Sequence, residues 1–107
     1  MTDDQSIAVI FEVSIKAGQK EKYLDIAQAL KSDLMKMDGF VSIERFQSLA
    51  DSNKLLSLSF WRDADAVAAW REHNKHQAAQ AKGKQEIFSD YHICVASVMR
   101  SYGMHEQ

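Results

Sequence analysis

The sequence predicts an α+β domain of order β-α-β-β-α-β. That is a four-stranded antiparallel sheet with two helices on one face, the split-βαβ or ferredoxin-like arrangement. Three observations carry the prediction. Four segments have strand-like hydrophobic patterns and two have a helical period, in that order along the chain. Short polar breaks separate them, and four glycines supply the punctuation in a chain without proline. The length, 107 residues, is that of one domain.

The first strand is Ile7 to Ile15. Ile7, Val9, Phe11, Val13 and Ile15 alternate with Ala8, Ile10, Glu12 and Ser14, so one face is fully apolar. Lys16-Ala17-Gly18-Gln19 breaks it. A helical stripe follows in Tyr23, Ile26, Ala27, Leu30, Leu34 and Met37, with Gly39 at the place of a C-terminal cap. Phe40 to Leu49 is a mixed strand pattern, with Phe40 and Phe46 on one face and Val41, Ile43 and Leu49 on the other. The turn Ala50-Asp51-Ser52-Asn53 leads into the strand Lys54 to Trp61, and strands joined so closely pair antiparallel. Asp63 is placed to cap a second helix. That helix begins with Ala66, Val67, Ala69 and Trp70, is expected to bend near His73-Asn74, and frays near Gly83. Tyr91 to Ser101 is the last strand. The division along the chain is a flexible lead (1–6), one domain (7–103) and a tail (104–107).

Composition excludes several function classes. Hydrophobic residues are 46% and charged residues 26%, a globular mix. A net charge of −2 gives no bulk attraction to nucleic acid or anionic lipid. No apolar run approaches the ~20 residues of a membrane span. The acidic start, Thr2-Asp3-Asp4, is the reverse of a secretory signal, and the single Cys94 suits a reducing cytoplasm. The face turned away from the helices is expected to carry Ala8, Ile10, Leu55, Trp61, Cys94, Ala96 and Val98, which is too apolar for open solvent and motivates a homodimer joined sheet to sheet.

The chemistry-bearing residues narrow further. His73 and His76 lie one helical turn apart, but no HExxH frame or further ligand at metal-site spacing accompanies them, so no metal is expected. Cys94 alternates with apolar neighbours and reads as a small buried hydrophobe. Neither GxGxxG, a P-loop nor GxSxG occurs, so no dinucleotide cofactor and no serine triad are expected. What remains is an aromatic and polar set around the second helix. Trp61, Trp70, Phe88 and Tyr91 are candidate walls of a small-molecule pocket, with His73, His76, Asn74 and Arg71 as its polar groups. The competing reading is that the tryptophans are core and the histidines solvated.

The run Ser59-Phe60-Trp61-Arg62-Asp63-Ala64-Asp65-Ala66-Val67-Ala68-Ala69-Trp70-Arg71-Glu72-His73-Asn74-Lys75-His76-Gln77, with Gly18, Gly39-Phe40, Phe88 and Tyr91, resembles the antibiotic biosynthesis monooxygenase (ABM) family of dimeric α/β-barrel proteins. The likeness extends from Ile7 to Gly103. It implies a homodimer joined through the sheets. It also implies oxidation of phenolic or anthrone-like rings to quinones by O₂ without flavin, haem or metal. His73 or His76 would then be the base, because histidine titrates near neutrality. Trp61, Trp70, Phe88 and Tyr91 would hold the ring, and Tyr91 or Glu12 would be the next base candidates. A haem-degrading branch of the superfamily uses an Asn-Trp-His set. Here Phe11 stands at the Asn position and Gln80 at the His position, which disfavours that reaction. The alternative within the same fold is a non-catalytic module that binds an aromatic metabolite or serves a stress response.

Overall fold

β1 spans Ile7–Ile15 and β3 spans Lys54–Trp61, the bounds their alternation predicts. The other elements are α1 (Lys20–Met35), β2 (Phe40–Gln47), α2 (Ala64–Gln80) and β4 (Phe88–Ser97). This computed structural model describes residues 6–80 and 87–105, with the backbone alone described for 74–80. The expected lead (1–6) falls, but for Ser6, outside the described residues, as does the fraying expected at Gly83. The four strands form one antiparallel sheet of order β2-β3-β1-β4, which is the ferredoxin-like topology. Among the described residues no helix is long and apolar enough to cross a membrane.

The apolar stripe of β1 faces the helices and anchors both halves of the core. Val13 and Ile15 pack with Tyr23, Ala27, Leu55 and Ile87 at one end. Ile7 packs with Leu34, Trp61 and Ala66 at the other. Two turns lock the second end. Gly39 adopts φ +88°, a conformation that penalises a side chain. A Cβ there would lie 2.6 Å from that of Ala66. The carbonyl of Gly39 accepts the Arg62 backbone N–H at 2.7 Å. The Arg62 guanidinium meanwhile donates to both carboxylate oxygens of Asp38, at 3.2 and 3.0 Å. Asp63 caps α2 as expected, accepting the Ala66 N–H at 2.9 Å.

Four expectations need correction. Leu55 and Trp61 face the helices, and the open face carries Leu56, Leu58 and Phe60 in their place. The register pairs Trp61 with Ile7 and Leu55 with Val13, which puts them on the side of the β1 core residues. In β2 the register shifts between Phe40 and Ser42, so Phe40 and Ile43 both reach the core although their sequence parity differs. α2 runs unbroken past His73-Asn74, in keeping with a proline-free, alanine-rich sequence. Cys94 is exposed in the single chain, because it lies on the open face opposite Ile10.

Candidate active site

Cross-strand pairing arranges the helix side of the sheet in four rows, each read from β2 through β3 and β1 to β4. The end rows are Phe40–Trp61–Ile7–Ser97 and Gln47–Leu55–Val13–Tyr91. Between them lie Ile43–Ser59–Val9–Val95 and Arg45–Ser57–Phe11–Ile93. The end rows hold the large buried residues. The middle rows put two small serines and an arginine beneath the helices, where leucine-sized side chains would close the layer. Val9 and Phe11 are half-buried, and Ile93 and Val95 stay 51% and 56% exposed although they face the helix side. The middle of the sheet is therefore the candidate floor of a cleft, exposed along β4.

The cleft has two unlike ends. At one, Trp70 lies over Trp61 with ring centroids 6.3 Å apart, and His73 lies beside Trp70 at 5.4 Å. His73 Nε2 is 3.8 Å from Asp33 Oδ2. At the other end Tyr23, Phe88, Phe11 and Tyr91 form a ring cluster. Tyr23 meets Phe88 at 5.7 Å and Phe11 meets Tyr91 at 5.8 Å. The Arg45 guanidinium sits against the Tyr23 hydroxyl. Burial pushes that hydroxyl above the ordinary tyrosine range, and Arg45 opposes the shift only in part. Tyr23 and Asp33 are ten residues apart on α1, so the two ends are separated by ~15 Å. That span suits a two- or three-ring molecule.

The residues picked out by sequence separate between these ends. Trp70 and His73 come together, and Phe88 and Tyr91 come together at the other end, ~15 Å away. Trp61 is 1% exposed and its indole N–H donates to Ser59 Oγ at 3.0 Å. It supports Trp70 from below. The side chain of His76 lies outside the described residues; its backbone continues α2 one turn beyond His73. Glu12 faces the open side, 3.7 Å from Lys54 Nζ, so it is turned away from the cleft. Among the described residues no three His, Cys, Asp or Glu side chains gather as a metal set. The sequence reading missed Arg45, Asp33, Ser57 and Ser59 as cleft residues. For Arg45 the signal is the strand register, which the β2 bulge conceals; Ser57 and Ser59 share the face of Leu55 and Trp61, and nothing local marks Asp33.

Aromatic rings and a histidine–carboxylate pair thus lie on the helix side of a ferredoxin-like sheet. The family model described as antibiotic biosynthesis monooxygenase matches residues 6–82, and the chain belongs to that family. It is similar to the jasmonate monooxygenase ABM of Pyricularia oryzae, 40% identical over 99 residues that make up 92% of this chain and 46% of that protein. The chain thus spans less than half the length of that relative. It is also 34% identical over 93 residues to the uncharacterized protein YqjZ of Bacillus subtilis, covering 87% of this chain and 79% of that one. Among solved structures, SnoaB, a cofactor-independent oxygenase from Streptomyces nogalater, superposes with a TM-score of 0.76 at 10% identity, covering 91% of this chain and 96% of that one. A conserved protein from Methanosarcina mazei gives a TM-score of 0.76 at 16% identity, covering 89% and 94%. At these identities the structural likeness speaks for the fold.

Proposed function

We propose that the protein is a cofactor-independent monooxygenase that oxidises a small aromatic, quinol- or anthrone-type compound with O₂. The observation that carries this reading is His73, placed beside the Trp70 ring at one end of the apolar cleft and paired with Asp33. Family membership supports the reaction class, and the likeness to SnoaB, a cofactor-independent oxygenase, supports chemistry without a cofactor.

The chemistry asks little of the protein. The substrate C–H loses its proton to the imidazole of His73, with His76 the other candidate one turn on. The carbanion passes one electron to O₂, and the carbon radical and superoxide combine to form a C–O bond. The peroxide takes a proton, the second C–H proton leaves, and the O–O bond breaks. A CH₂ group and O₂ thus become C=O and water, and the substrate supplies every electron. Trp70 holds a ring at this end, and Phe88 and Tyr91 hold the far end. Asp33 steadies the imidazolium that forms.

We further propose a homodimer that covers the open face. Ala8, Ile10, Leu58, Phe60, Cys94 and Ala96 form a continuous apolar area there. The length of the Pyricularia relative, more than twice the matched region, leaves room in one chain for a second domain of this size. A reducing cytoplasm would keep Cys94 a thiol.

Oxygen uptake with anthrone and with a simple hydroquinone tests the activity. With anthrone the expected result is one O₂ consumed per anthraquinone formed, with no oxygen returned by catalase; with hydroquinone it is one O₂ per hydroxyquinone, a ring C–OOH losing water to give C=O. Saturable binding of both compounds without uptake above buffer would instead favour the non-catalytic binding module.

A further inference from the structure

Arg45 has an unusual setting for a strand arginine. It occupies the helix-side row Arg45–Ser57–Phe11–Ile93, whose other members are one buried serine and two hydrophobes. Its Nε is buried and has no hydrogen-bond partner. Among the described residues no carboxylate pairs with it, and its neighbour is the Tyr23 hydroxyl, which is itself enclosed by Phe88. A guanidinium with an orphaned N–H beside an apolar cleft costs free energy that only an anion or a set of acceptors offsets. Where arginines serve structure alone in this protein the pattern differs: Arg62 is exposed and saturated by Asp38 and Asp63.

We propose that Arg45 is the anchor for a carboxylate on an otherwise apolar ring compound bound in the cleft, with the Tyr23 hydroxyl donating to the same group. The inference rests on the reading of the cleft as a small-molecule site and adds the chemical class of the ligand. Arg45 offers a planar fork that matches two carboxylate oxygens. Burial keeps Tyr23 protonated well into the alkaline range, so its O–H is a donor at neutral pH. The anchored end lies ~15 Å from Asp33 and His73, as the rise of α1 sets it. The acid group would therefore hold a bicyclic or longer skeleton with its opposite end under His73. Arg45 is a binding and positioning residue here and takes no part in proton transfer.

The test compares 2-naphthoate with methyl 2-naphthoate, two probes of one shape that differ in charge. Binding is read by tryptophan quenching and by calorimetry on wild type, Arg45→Met and Arg45→Lys. Wild type is expected to bind the acid at least tenfold tighter than the ester. Arg45→Met should bring that ratio to about one, while Arg45→Lys keeps part of the preference. Equal affinity for acid and ester in wild type would overturn the proposal and leave the cleft reading standing; that comparison stands even if Arg45→Met fails to fold. A preference that survives in a folded Arg45→Met would also overturn it. If neither probe binds wild type, the cleft is not an aromatic-ligand site, and both readings fall together.

Discussion

Replacing Gly39 with alanine tests how the second end of the core is held. The glycine has φ +88°, a region in which a Cβ costs ~1–2 kcal/mol. The added Cβ would also lie 2.6 Å from the Ala66 Cβ. Comfortable carbon contacts are ~3.5–4.0 Å, so α2 or the turn must retreat by about 1 Å. Overpacking of that kind costs ~1–3 kcal/mol. Together the two effects predict a loss of about 2–5 kcal/mol, which in a domain of this size lowers the melting temperature by on the order of 10–30 °C. Urea unfolding followed by tryptophan fluorescence is a suitable assay, because Trp61 and Trp70 both lie at this end. Gly39→Ala with Ala66→Gly separates the two parts. The double variant should recover the steric share, ~1–3 kcal/mol beyond additivity, and leave the φ penalty in place. A single variant within ~0.5 kcal/mol of wild type, the range of ordinary surface substitutions, would refute the argument. So would strict additivity of the pair.

Other perturbations address the site, the assembly and the pH response. His73→Ala or His76→Ala should cut quinone formation at least about tenfold, the low side of a general base's contribution, with little change in melting temperature; full activity in both would move the base elsewhere, with Tyr91 next because it faces the cleft. Leu58→Asp, at the centre of the open face, should convert a dimer of about twice 12.2 kDa to monomer in light scattering, since a dimer would bury an unpaired charge; wild type running as a monomer at micromolar concentration would remove the dimer altogether. Asp38 is held below the usual carboxylate range first by its hydrogen bond from Arg62, and Asp63 first by the Ala66 N–H. Carboxylates lowered in the folded state stabilise above their unfolded value and lose that contribution as pH falls through the folded one. Acid titration of stability should therefore show a decline starting near pH 4 that Asp63→Asn reduces. Tyr23 has the opposite sign, because its folded value is raised. Stability should be intact below pH 10 and fall as pH rises beyond it, and Tyr23→Phe should flatten that limb.

Much of the fold was legible because β1 and β3 alternate without interruption, and an unbroken period two leaves one grouping of residues into faces. Which of the two faces meets the helices was not legible. Both faces of β3 are apolar enough, and only pairing of Trp61 with Ile7 decides between them. β2 hid its inward residues because the shift after Phe40 breaks parity, and Arg45 was not picked out. At the site, Trp70 and His73 were visible from their spacing on one helix. Asp33 and Tyr23 were not, because each reaches the cleft from another element and the sequence places no mark on such distant pairs.

The place of β1 has a consequence for how the chain is made. It is the first of these four strands to leave the ribosome, yet it occupies an interior position, flanked by β3 and β4. Its hydrogen-bonding groups toward β4 wait for about eighty further residues, on the order of 10 s of synthesis at ordinary rates. For that interval one edge of an apolar strand is open to any extended chain nearby. A β1-α1-β2-β3 intermediate can shelter the other edge early, leaving the last strand to close the sheet. Ribosome-stalled chains ending before β4 should then be the species that chaperones hold, and the speed of the final pairing should govern the yield of soluble protein.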